Sequence, residues 1–137
     1  MDWKECNLEK LAKKVQLDIP LIKSLSETAE DKCKTARSIA LTEVSSSSVI
    51  ILLYDSLRER LEGLALLHGY KIYNHECYAS FLSEVLHERE LSHAFNRVRL
   101  IRNSINYYGK RLSLDDSREI TKEIENLIQK VKEIKRL

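Results

Sequence analysis

The chain is predicted to be an all-α, antiparallel bundle of about five main helices, one domain across residues 1–137. Three observations carry this. Only three Gly and one Pro are present, which leaves little turn material and argues for few, long elements. Charged residues make up 32% of the chain, as expected for helices with solvated outer faces. Apolar residues recur at three- and four-residue steps through most of the sequence, the period of a helix with one buried face.

Trp3, Cys6, Leu8, Leu11, Ala12 and Val15 follow that period and predict a first helix. Asp18 is placed to cap the second, where Pro20 in the first turn loses no hydrogen bond. Ile22, Leu25, Ala29, Cys33, Ala36 and Ala40 form its inner face, with small residues that admit a close neighbour. Ser45–Ser48 reads as a short loop ending in a Ser N-cap. Ile50, Leu53, Tyr54, Leu57, Leu61, Leu64, Ala65 and Leu67 make the third helix the most hydrophobic segment and the centre of the bundle, ended by Gly69.

GYKIYN (69–74) is expected to be a loop, with Asn74 capping a shorter helix whose inner residues are Tyr78, Phe81, Leu82, Val85 and Leu86. A further helix runs from about Glu88 to Tyr108. Ser113 with Asp116 resembles a capping box for the last one. That helix buries Ile120, Ile124, Leu127, Ile128, Val131 and Ile134, and it ends in the basic tail KEIKRL. No strand-like alternation stands out.

The net charge of +2 does not by itself imply nucleic-acid binding, so any basic surface must be local. Cys6, Cys33 and Cys77 are odd in number and lack CxxC spacing; three reduced thiols in a cytoplasmic protein are expected, with no disulfide framework or zinc site. The charged start MDWKECNLEK has no secretion core, and the apolar run Val49–Tyr54 is too short to span a bilayer. His87 and His93 miss the i, i+4 spacing of a zinc-binding helix, and His68 and His75 sit at helix ends. No metal or cofactor is expected. Phosphate loops and nucleophile elbows are absent from the sequence.

The most chemically loaded stretch is LIRNSINYYG, Leu100–Gly109. Val98, Ile101, Ile105 and Tyr108 share one face and are expected in the core or a dimer interface. Arg99, Arg102 and Asn106 lie within about 60° of one another on a wheel of roughly 100° per residue. Asn103 and Tyr107 flank them, with Arg97, Lys110 and Arg111 nearby. Arg forks grip phosphate oxygens, and Asn or Tyr adds directed hydrogen bonds. The same side chains could instead hydrogen-bond a neighbouring helix and fix the bundle.

RNSINYYG resembles the signature of the HEPN (higher eukaryote and prokaryote nucleotide-binding) domain family, in which an Arg, often followed by Asn, precedes a His four to six residues on. The segment YDSLRERLEGLALLHGYKIYNHE (54–76) is similar to that family's central helix and following loop. The resemblance covers most of the chain from the second helix onward. It implies a helical bundle that dimerises, and often a metal-independent endoribonuclease, toxin-like and paired with a nucleotidyltransferase. Arg102 then takes the motif's Arg, Asn103 its polar neighbour, and Tyr107 the place of the His. A phenol, with a pKa of about 10, is a poor base near neutrality. The function implied is therefore binding of RNA or a nucleotide through Arg99, Arg102, Asn103, Asn106, Tyr107 and Lys110, with catalysis weak or lost. The alternatives are an active ribonuclease using Arg102 and Tyr107, or a non-catalytic partner of a nucleotidyltransferase.

Overall fold

The computed structural model describes residues 1–134, the side chain of Tyr107 excepted. Four long helices and two short ones account for most of it: α1 (Trp3–Leu8), α2 (Ile19–Ser38), α3 (Ser46–Leu67), α4 (His75–Ser80), α5 (Arg89–Tyr108) and α6 (Leu114–Glu133). The architecture is an all-α bundle carrying one small ribbon, β1 (Ala12–Lys14) against β2 (Tyr70–Ile72). Lys135–Leu137 of the basic tail lie outside the described residues.

Helix α3 is the centre of the core because its apolar residues extend well round its circumference. It packs most extensively against α2 and α6. Leu53, Leu57 and Leu61 are buried from α3, Ala29, Cys33 and Ala36 from α2, and Ile124, Leu127, Ile128 and Val131 from α6. The small α2 face brings the two backbones close enough for the buried Ser56 hydroxyl of α3 to donate to the Ala29 carbonyl at 2.7 Å. Each fully buried Leu or Ile contributes about 1.5–3 kcal/mol relative to exposure.

The caps mostly follow the sequence. Asp18 accepts from Leu21 N–H at 3.1 Å, Asn74 from Glu76 N–H at 2.8 Å, and Ser113 from Asp116 N–H at 3.1 Å. The start of α3 is different. The Ser45 hydroxyl turns back to the Ala40 carbonyl at 2.6 Å and so makes no side-chain cap. Helix α2 also stops at Ser38, leaving Ala40 outside it.

Three expectations are corrected. The first helix ends at Leu8, not near Val15, because Lys10 adopts a left-handed φ of 59° and the chain turns into β1. β1 pairs antiparallel with β2, Ala12 opposite Ile72, so GYKIYN contains a strand where a loop was expected. Three-residue strands are too short to register as alternation. Finally, Cys6 and Cys77 are joined in a disulfide, Cα atoms 6.0 Å apart, and only Cys33 is free. The two cysteines lie 71 residues apart and meet where α1 packs on α4, a pairing no local spacing announces. The thiol-based argument for a reducing compartment falls with it. No helix among the described residues is long and apolar enough to cross a membrane.

Candidate functional site

Helix α5 rises behind α3 and α4 and ends, as expected, at Gly109 with a left-handed φ of 59°. Val98 and Ile105 are buried and Ile101 half-buried, so the apolar side of the motif is core. Tyr108 does not belong to that face. It is 84% exposed and is the last residue of the helix, where the apolar stripe has already turned away from the core. Leu100 is also exposed.

The polar side is built around a tyrosine that sequence reasoning assigned to packing alone. Arg102 places its guanidinium over the ring of Tyr54 on α3, 5.2 Å from the centroid. With its amide oxygen towards Arg102, Asn106 accepts from Nε at 3.1 Å and Nη2 at 3.2 Å. The reverse orientation sets donors against donors. Arg99, one turn back, gives Nε and Nη2 to Asn96 Oδ1 at 3.0 and 2.8 Å. Both arginines are half-buried, and among the described residues neither is ion-paired to a carboxylate.

Beneath Arg102, Tyr54 is fully buried and stacks near-parallel with Phe95 of α5 at 6.1 Å. Its hydroxyl meets Nδ1 of His75, the first residue of α4, at 2.9 Å. Burial pushes the Tyr54 phenol up to about 12, against the pull of Arg102 and Arg99. Burial also lowers the His75 pKa, and Arg58 and Arg102 lower it further. A neutral imidazole is thus favoured at pH 7. We assign the tautomer in which the Tyr54 hydroxyl donates to Nδ1 and Nε2 carries the ring proton. Tyr78 continues the cluster: burial raises its phenol strongly, against the pull of the Arg58 charge. Arg58 and Lys71 both pair with Glu62, at 3.0 and 2.8 Å, which spends those two cations internally.

The structure therefore gathers Arg99, Arg102 and Asn106 into one edge, with half-buried Asn103 on the same helix. It does not gather the rest. Arg97 points to α6, where it pairs with Glu123. Lys110 and Arg111 are exposed beyond Gly109. The role expected of the Tyr107 side chain lies outside the described residues. Beside Arg99, Asn96 also lines a polar cleft of about 400 Å³, whose other walls include Met1, Glu76, Ser80 and Glu84. Among the described residues no three His, Cys, Asp or Glu side chains gather as metal ligands.

No family model, curated protein or solved structure matches the chain. Tyr54 and His75 were missed because each has an ordinary local reading, an apolar-face aromatic and a helix-end imidazole, and nothing in the sequence singles out Arg58 by itself. The available signal was the i, i+4 spacing of Tyr54 and Arg58, which sets a hydroxyl and a guanidinium on one side of the most apolar helix.

Proposed function

We propose that the protein binds RNA or a nucleotide phosphate through the α5 edge formed by Arg99, Arg102 and Asn106, with Asn103, Tyr107 and Lys110 beside it. One observation carries the reading. Arg99 and Arg102 are held by neutral partners, whereas Lys32, Arg37, Arg58, Arg60, Lys71, Arg97 and Arg118 are each paired with a carboxylate. Stacking and amide acceptors orient a guanidinium without cancelling its charge, which is what a phosphate oxygen requires. The HEPN resemblance favours the same edge. It also favours a dimer, for which exposed Leu100 and Tyr108 on α5 offer apolar surface.

Binding of a fluorescent single-stranded RNA, followed by anisotropy at two salt concentrations, tests this. Arg102→Ala is expected to weaken affinity about tenfold and to reduce the salt slope by about one. Arg97→Ala, whose cation is already paired, is expected to leave it unchanged. Salt-independent or absent binding, or wild-type affinity in Arg102→Ala, would count against the reading.

A second reading, metal-independent cleavage of RNA, is favoured by His75. Its half-buried imidazole reaches Arg102 through Tyr54 alone, and in the assigned tautomer its Nε2–H can donate to a phosphate or leaving-group oxygen. Cleavage in excess EDTA that His75→Asn abolishes would establish it. A failure to cleave leaves the binding function alone.

A further inference from the structure

Helix α4 serves two parts of the molecule at once. His75 opens it and meets Tyr54. Two residues on, Cys77 is fully buried and bonded to Cys6 of α1, and Tyr78 follows immediately. The other links from the N-terminal segment to this region are the Trp3 ring, which packs on Phe81 at 5.7 Å and edge-on to Tyr70 at 5.1 Å, and a set of polar contacts. The Met1 ammonium pairs with Glu76 at 3.1 Å, Trp3 N–H donates to Glu84 at 2.7 Å, and the Ser80 hydroxyl donates to the Met1 carbonyl. Exposed ion pairs hold little. The segment also lines the polar cleft, to which Met1 and Asp2 contribute along with Asn96, the residue that orients Arg99.

We propose that the Cys6–Cys77 disulfide is a redox latch on the anion site: opening it releases residues 1–8 from α4 and loosens the His75–Tyr54 and Asn96–Arg99 supports, so that the reduced protein binds RNA less tightly. The inference rests on the phosphate-binding reading of the α5 edge. The reductant is a dithiol, either a small molecule or a protein of the CxxC class. Its thiolate attacks one cysteine sulfur, breaking the S–S bond and forming a mixed disulfide. Its second thiol resolves that bond. Two electrons and two protons pass to Cys6 and Cys77, which leave as thiols, while the reductant becomes a disulfide. Both sulfurs are buried, so attack waits for the N-terminal segment to lift and is slow in the folded protein. Cys33, buried on α2, takes no part.

The test compares oxidised wild type, wild type after prolonged dithiothreitol treatment, and Cys6→Ser. Thiol titration under denaturing conditions should find one free cysteine in the oxidised protein and three after reduction. Reduction should open Lys10, Lys13 and Lys14 to trypsin before the rest of the chain. It should also move the NMR titration of His75 towards that of a free imidazole, and weaken RNA binding by about fivefold or more. Three free thiols in the oxidised protein overturn the latch. So do an unchanged tryptic pattern and His75 titration, or equal RNA affinity in both states. If oxidised protein binds no RNA while trypsin and NMR still respond to reduction, the latch stands and the ligand assignment fails. Should Cys6→Ser not fold, reduced wild type carries the test. A reduced protein without helical circular dichroism at 25 °C shows a global staple and rejects a local latch.

Discussion

The two seams of α3 are built from the same helix and behave as different materials. Towards α2 and α6 it presents Leu57, Leu61 and Leu64 to Ala29, Cys33, Ile124 and Leu127, and the rim cations are spent on carboxylates, Lys32 on Glu59 and Arg60 on Glu30. Towards α4 and α5 it presents Tyr54 and Arg58 to His75, Tyr78, Phe95 and Arg102. The first seam is mostly apolar, and its buried Ser56 hydroxyl and Glu59 carboxylate are answered by the Ala29 carbonyl and by Lys32 and Thr28. The second buries hydroxyls and an imidazole beneath two arginines without a carboxylate. A protein that needed only to fold could have used the first design twice. The difference separates substitutions that should cost stability from those that, on the proposed function, should cost binding.

The largest effect belongs to the first seam. Ile124 is fully buried between α6 and α3. Ile124→Ala removes methyl groups and leaves a cavity, so chemical denaturation should show a loss of about 3 kcal/mol. The fraction that remains folded should bind RNA as wild type does. Arg102→Ala is the counterpart on the second seam. It should lose less than about 1 kcal/mol of stability, the scale of a cation–π contact. Its affinity should fall about tenfold, the scale of one phosphate-gripping arginine. If Arg102→Ala instead melts far below wild type with affinity intact, Arg102 is a structural clamp and the contrast between seams collapses.

Tyr54→Phe acts between these extremes. It keeps the ring under Arg102 and the stack on Phe95 but deprives His75 Nδ1 of its partner. About 1 kcal/mol should be lost, and the NMR titration of His75 should shift. An unshifted titration would mean that the hydroxyl does not govern the imidazole. The same variant removes an alkaline liability. The folded phenol ionises at about 12 against 10 in the unfolded chain, so wild-type stability should fall as pH rises from 10 to 12. Tyr54→Phe should lose less over that range.

How much of this the sequence disclosed follows from how each seam is encoded. The α2–α3–α6 core is written in helical periodicity, because a face buried over five turns repeats the same instruction many times; Ile120, Ile124, Leu127, Ile128 and Val131 were read directly. The α5 edge was half legible. Arg99, Arg102 and Asn106 share a face by spacing, but spacing says nothing of what they face. Tyr54 and His75 come from different elements and meet only through packing. The β1–β2 ribbon and the Cys6–Cys77 bond are non-local pairings of the same kind, each too short or too widely separated to leave a local pattern. Tyr108 failed for the opposite reason: the period was extended one residue past the core.

The smallest effect is also the finest probe of the second seam. His75 faces Tyr54 and Tyr78, with the cations Arg58, Arg102 and Arg99 lowering its pKa and Asp55 raising it; burial is the largest influence, and the net direction is down. The folded protein therefore resists a proton that the unfolded chain accepts near 6.5. Between 6.5 and the lower folded-state value the unfolded state binds more protons, so stability must fall as pH falls through that window and level off below it. Carboxylates titrate further into acid in both wild type and variants, so the informative quantity is the difference between wild type and His75→Asn, which keeps an acceptor for the Tyr54 hydroxyl but cannot titrate. Denaturation midpoints from pH 7.5 to pH 5 should converge for the two proteins as acid is added, wild type losing the more. Parallel midpoints would place the imidazole in solvent, and the second seam would then be no different in kind from the first.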